Sequence, residues 1–240
     1  MNAGLPLIEL REIWVYLTGS PLLSLILTLI AYQIGLMIYD RTNKNPMANP
    51  VLIAIVIVLS TITALEMPYA TYFEGAQFIH FLLGTATVAL AIPIYKGWHL
   101  LKGKSLALTT SLTAGGAVSI LSAVGLATLA GLPQTLIQPF YAKSVTAPIA
   151  MGVAENISAS PTLTAVYAVS TGIIGAIIAR YILDALKMRL WWQRGYAIGV
   201  AAHGIGTSRA FSVSAEAGAF ASIGMGLHGV FGAILIPWLP

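Results

Sequence analysis

Long apolar runs alternate with short polar breaks along the whole chain. The runs at about 21–39, 51–66, 76–95, 105–131, 162–183, 195–214 and 217–238 carry few or no formal charges. Crossing a hydrocarbon core of about 30 Å takes roughly 20 apolar residues in a helix, so each run predicts one membrane-spanning helix. The stretch Ser105–Ala142 is uncharged throughout. An eighth run, 136–158, is punctuated by Pro139, Pro148 and Pro161, which argues against a simple span. Residues 1–20 combine Glu9, Arg11 and Glu12 with Trp14 and Tyr16, a pattern suited to a short interfacial helix; the basic start and small-residue cleavage site of a signal peptide are missing.

The polar breaks orient the runs, because short cytoplasmic loops collect lysine and arginine. Arg41 with Lys44, Lys96 with Lys102 and Lys104, and Lys187 with Arg189 and Arg194 mark three inside loops. The loops between them hold Glu66 and Glu74, or nothing charged from Gly131 to Tyr141. Run 105–131 then ends outside and run 162–183 must begin outside, so 136–158 has to enter and leave on one face. A re-entrant hairpin does this, and such backbone is tolerated at membrane depth only where protein or a cavity surrounds it. The sequence thus predicts an all-α polytopic membrane protein. It has about seven transmembrane helices plus a re-entrant segment, with the N-terminus outside and the C-terminus inside.

"LLGTATVAL" at 82–90 and "GIGTSRAFS" at 204–212 superpose so that Gly84-Thr85 meets Gly206-Thr207, and the charge rule runs them in opposite directions. A weaker echo pairs "NPVLIAI" at 49–55 with "APIAMGV" at 147–153, each with a proline where a helix start tolerates it. Motifs repeated in opposite orientation suggest two inverted halves with broken helices, the way many transporters build a midplane site. The expected division is an interfacial segment 1–20, a first transmembrane repeat 21–104 and a second 105–240.

Composition reinforces the membrane reading: 58% of the 240 residues are hydrophobic and 8% charged, with a mean hydropathy of +0.85, far from the usual quarter charged. The net charge of +4 is spread in twos and threes between runs and makes no basic stripe, so no nucleic-acid partner is expected. Cysteine is absent. No G-x-S-x-G, H-E-x-x-H or metal-ligand spacing occurs, so neither an enzyme nor a cofactor is expected. His80, His99 and His228 receive no role.

Candidate chemistry gathers where polar residues interrupt apolar runs. Arg209 lies inside the run 195–214, and a charge at the bilayer centre costs about 2.5–3.5 kcal/mol even on lenient scales. Gly204 and Gly206 weaken the helix before it, and Thr207 and Ser208 add hydroxyls. Freed N–H groups beside a forked cation suit a carboxylate. The alternative is an internal ion pair of Arg209 with Glu155 or Glu216. His203 can titrate near neutral pH and carry a proton; Gly195, Gly199 and His203 also share a helix face, which suits close helix packing with a structural histidine. Lys143, Ser144 and Thr146 belong to the re-entrant segment, where Lys143 either meets substrate or snorkels to the surface. Asn49 is a helix cap or an amide ligand.

At "AKSVTAPIAM", "HGIGTSRA", "NPVLIAI" and "LLGTATVALAIPIY" the chain resembles the LrgB/CidB family of bacterial membrane proteins, from about residue 21 to 240. Lys143, Ser144, Thr146, Pro148, His203, Gly206, Thr207 and Arg209 fit the family pattern, whereas Ala142, Ala147 and Thr85 depart from it. The resemblance implies one of two activities. One is holin- or antiholin-like control of murein hydrolase and lysis beside a small LrgA/CidA-type partner. The other is transport of a small monocarboxylate across the bacterial inner membrane, as in relatives that carry glycolate, glycerate or pyruvate. A buried arginine at an interrupted helix favours transport, with Arg209, Thr207, Ser208, Gly206, Ser144, Thr146, Asn49 and Thr85 as the candidate substrate contacts, and analogy with transporters implies a homodimer.

Overall fold

The computed structural model describes residues 21–239 apart from residue 90, and the interfacial helix expected over 1–20 lies outside the described residues. Every element among them is helical. The helices fall into two compact units divided between Thr85 and Ala86.

The first unit holds α1 (Pro21–Arg41), α2 (Pro50–Ala64) and most of α3 (Tyr69–Ala89). Pro50 starts α2 where a missing N–H costs nothing, and Asn49 Oδ1 accepts from the backbone N–H of Val51 at 3.0 Å and of Leu52 at 3.1 Å. Gly35 lets α1 approach the start of α2, since a Cβ there would lie 2.5 Å from the Pro50 carbonyl oxygen. Ala31, Ala54, Val58 and Ile62 form the small core of this unit.

The second unit contains α4 (Ala91–Gly97), α5 (Ser105–Leu129), α6 (Gln134–Ile137), α7 (Ala147–Asn156), α8 (Pro161–Ala185), α9 (Trp191–Val213) and α10 (Ala215–Leu235). Four stretches among the described residues are long and apolar enough to cross a membrane: Leu22–Arg41, Ser105–Leu129, Pro161–Ala185 and Ala215–Trp238. Lys104, the N-cap of α5, holds its ammonium 5.6 Å from the ring centres of Trp192 and Phe220. The starts of α5, α9 and α10 therefore share one end, which also carries the Lys187–Arg189 loop.

The re-entrant segment is a hairpin. Helix α6 and a 3-10 turn over Gln138–Ala142 lead inward, the chain reverses at Lys143–Thr146, and α7 returns to a short link before α8. Pro148 sits in the first turn of α7, while Ala142, Val145, Ala150 and Val153 are buried against Ala168 and Ile236. Phe140 stacks on Tyr167 of α8, ring centres 4.2 Å apart.

The run 195–214, read from sequence as a crossing, is a second hairpin. His203 adopts φ 38° and ψ −130° and breaks α9 in two. Residues eight apart in a straight helix are separated by about 12 Å along its axis. Yet a Cβ on Gly206 would lie 3.1 Å from the Ile198 carbonyl oxygen and 2.6 Å from the Ala202 methyl. The second arm, from Gly204, thus folds back along the first. Glycines permit the stacking: Gly195 and Gly199 press against the backbone carbonyls of Ala217 and Ala221 in α10, leaving no room for a Cβ. Because α9 returns to its starting end, α10 crosses away from it, and Ile236 packs with Ala142 at the end opposite the basic loops. The end of α10 therefore lies opposite the basic loops, whereas the seven-crossing reading brings it back to them.

Candidate functional site: two hairpin tips and a cavity

The hairpins enter the second unit from opposite ends and meet α8 near its middle. From the basic end, His203 donates a ring N–H from Nε2 to the Ala168 carbonyl at 2.8 Å, and Gly172 faces the same ring, where a Cβ would come within 2.6 Å of Cε1. From the other end, Lys143 and Ser144 line a cavity of about 820 Å³ together with Thr171. Leu108, Met188 and Trp192 line it toward the basic end, and Lys143, Ser144 and Ser119 line it at the hairpin tip. The walls between are largely aliphatic and aromatic, including Ile174, Ile178, Tyr196 and Val200.

Lys143 Nζ donates to Ser119 Oγ at 2.8 Å and to Ser144 Oγ at 3.1 Å. An ammonium has three protons to donate, so these two bonds fix its position and leave one donor. Ser144 is buried, and so is Thr146, the N-cap of α7. The Thr146 hydroxyl is the one buried side-chain polar atom among the described residues that finds no hydrogen-bond partner. First-turn N–H groups of a helix start lack intrahelical acceptors and attract anions. Two such starts, at Ala147 and at Gly204, follow the two hairpin tips.

The other sequence candidates are dispersed. Thr207 is buried and its hydroxyl donates to the His203 carbonyl at 2.7 Å, closing the break. Gly206 is packed against Ile198, and Ser208 is exposed. Arg209 lies beyond the break, on the arm that returns to the basic end. It lines a separate cavity of about 410 Å³ with Arg180, Asp184, Arg189, Trp191 and Arg194. Its Nη1 donates to Ser212 Oγ at 3.2 Å. Asp184 pairs instead with Arg194 at 2.6 Å and with Arg180 at 3.8 Å. Glu155 is exposed on the last turn of α7.

In the first unit Asn49 spends its side-chain oxygen on capping α2. Thr85 is exposed and donates to the Leu82 carbonyl at 2.9 Å. Gly84-Thr85 lies in the continuous helix α3 and Gly206-Thr207 directly after a break, so the paired motifs differ in local geometry.

Ser119, which anchors Lys143, escaped the sequence reading. It is one of many hydroxyl residues on the uncharged α5, and nothing in its spacing marks it.

The model of the LrgB-like family matches residues 28–240. The chain belongs to the LrgB-like family. Among its relatives, the Bacillus subtilis protein YwbG is 31% identical over 218 residues, covering 91% of this chain and 96% of that protein. The holin-like protein CidB of Staphylococcus epidermidis is 30% identical over 217 residues, covering 90% of this chain and 94% of that one. CidB of Staphylococcus aureus is 28% identical over 218 residues, covering 91% and 95%. No solved structure matches the chain significantly. The LrgB-like match takes in both hairpins and both cavities, so the elements that build the tips lie inside the family's domain.

Proposed function

We propose that this LrgB-like protein is a secondary transporter of small monocarboxylates of the pyruvate, glycolate, glycerate or lactate type. The observation that carries the reading is Lys143, held by Ser119 and Ser144 at the hairpin end of a mostly apolar cavity. One cation, a few hydroxyls and an apolar wall match a ligand with one carboxylate and a short carbon chain. In this reading Lys143 receives the carboxylate, with the Thr146 hydroxyl and the N–H groups at the start of α7 supplying further donors. The sequence reading assigns that role to Arg209; we assign it here to Lys143, because Arg209 lines a separate cavity.

Opposed hairpins whose tips meet at mid-depth support alternating access. We take α5 with the first hairpin and α8 with the second as the inverted halves, a different division from the one at 104–105. His203, buried at the second tip, is the candidate for proton coupling, and a homodimer is the assembly proposed. No covalent chemistry is assigned.

The names of the staphylococcal relatives favour a second reading, a holin-like regulator acting with a small LrgA/CidA-type partner. Purified protein in liposomes separates the two. Transport requires saturable uptake of labelled pyruvate or glycolate that unlabelled acid competes away, and an imposed pH gradient accelerates it if protons are coupled. Non-saturable leakage of unrelated dyes, with no saturable component, favours the pore.

A further inference from the structure

Resting on the transport reading, we propose that His228 of α10 binds the proton that accompanies the carboxylate into the site at Lys143. The residue is buried and stands between the two hairpins. Met225, His228, Gly229 and Gly232 are spaced by three and four, so they share one face of α10. That face touches both hairpins. The Met225 sulfur accepts from the Thr207 hydroxyl at 3.7 Å, just past the break at His203. A Cβ on Gly229 would lie 2.7 Å from Ile149 Cδ1, and one on Gly232 would lie 2.6 Å from Val145 Cγ1, both in the first hairpin.

On the facing side, α5 has no side chain at Gly116, where a Cβ would come within 3.0 Å of His228 Cε1. Ser119, three positions on, lies on the same face of α5 and accepts from Lys143 Nζ at 2.8 Å. The imidazole and the ammonium therefore flank one turn of α5. Among the described residues no hydrogen bond reaches the His228 ring, whereas His203 is already tied to the Ala168 carbonyl.

The charged and titratable groups that act on the ring are Lys143 and His203. Tyr196 of α9 spends its hydroxyl on the Leu108 carbonyl at 3.0 Å, and Arg194 and Arg209 line the other cavity. Helix α5 is uncharged, while Tyr95 and Lys96 of α4, Glu155 of α7 and Glu216 of α10 are exposed. Among the described residues no carboxylate therefore faces Lys143 and His228. Two cations held this close repel, and a carboxylate bound beside them offsets both. An anion entering at Lys143 thus favours uptake of one proton by His228, whose free ring nitrogen accepts it from water. Anion and proton leave together on the other side, and no bond of the substrate changes.

The test uses the full chain in a nonionic detergent, with pyruvate as the probe and calorimetry in buffers of different ionisation enthalpy to count protons. Pyruvate stays fully ionised from pH 6 to pH 8, so a proton taken up on binding belongs to the protein. Uptake of about one proton per pyruvate is expected, and the apparent affinity should fall roughly tenfold as pH rises across this range. His228→Gln should abolish the uptake and hold the affinity within about twofold over the same range. Thermal unfolding checks that the variant folds, and His228→Asn repeats the test with a smaller side chain. Binding by the parent without proton uptake, or uptake that persists in His228→Gln, overturns the proposal; loss of uptake in His203→Gln alone does so too, by moving the proton to His203. None of these results touches the transport reading. That reading fails instead if neither pyruvate nor glycolate binds at any pH, and the proposal then falls with it.

Discussion

His203 Nε2 lies 2.8 Å from the carbonyl oxygen of Ala168, fastening the tip of the second hairpin to the middle of α8. The same stretch of α8 contributes Thr171 to the cavity that ends at Lys143. Two hairpins from opposite ends thus share one helix as their common wall, and the polar groups that sequence scatters over sixty positions are gathered at one depth.

The backbone of His203 is costly. A residue with a side chain at φ 38° pays about 1–2 kcal/mol that glycine does not. His203→Ala and His203→Gly remove the same ring and the same hydrogen bond to Ala168, yet only glycine relieves the strain. Both variants should be less stable than the parent, with His203→Gly the more stable of the two by about 1 kcal/mol after its greater unfolded-state freedom is counted. Thermal unfolding in detergent measures the difference. Equal stabilities would mean that the break is not strained.

Lys143→Gln keeps a polar side chain and removes the cation. Loss of a charge-assisted bond in a partly desolvated site should cost on the order of 2–3 kcal/mol, thirty-fold or more in apparent affinity for pyruvate or glycolate. Ser119→Ala frees the ammonium without removing it and should cost less, about 1 kcal/mol. Uptake at graded substrate concentrations reads both. Unchanged affinity in Lys143→Gln removes Lys143 from the site.

The cysteine-free sequence makes topology directly measurable. Single cysteines at Lys187 and Glu216, both exposed and flanking the second hairpin, should label from one side of the membrane with an impermeant maleimide. Cysteines at Thr135 and Ser160, flanking the first, should label together from the other side. If Lys187 and Glu216 label from opposite sides, α9 is a crossing and the hairpin is wrong.

Gly199→Ala drives a methyl group into the Ala221 carbonyl, a backbone atom that cannot swing away. Overpacking of this kind costs about 1–3 kcal/mol, and the fixed partner places Gly199→Ala toward the upper end. Gly125→Ala on α5 meets nothing within 4 Å and should be neutral or stabilising by up to about 1 kcal/mol. Unfolding temperatures of the two variants should therefore move apart.

Much of the fold was legible because its signals are local. Runs of spanning length with few or no charges located α1, α5, α8 and α10, and the punctuation by Pro139 and Pro148 with the charge rule required the first hairpin. The second hairpin stayed hidden because two apolar arms joined without proline have the composition of one span. Gly204 and Gly206 marked the right neighbourhood, but the break falls at His203, where a ring bonded to Ala168 holds a conformation that local propensity assigns to glycine. The place of Arg209 was hidden for the same reason: position counted along a straight helix is lost once the helix turns back. Ser119 became visible only when the hairpin tip was brought beside α5, a contact between residues 24 positions apart.

The glycine-to-carbonyl contacts of Gly195 and Gly199 have a mechanical consequence. Backbone touching backbone has no side chains to rotate aside, so the first arm of α9 and α10 form one stiff strut that cannot shear internally. Against α8, by contrast, Gly172 and Gly175 meet the His203 ring and the Ala202 methyl, side-chain contacts tied by the His203–Ala168 hydrogen bond, which must release before the tip can slide. If the cavity is to change the side on which it opens, the plane of slip runs along α8, and the strut travels as one piece.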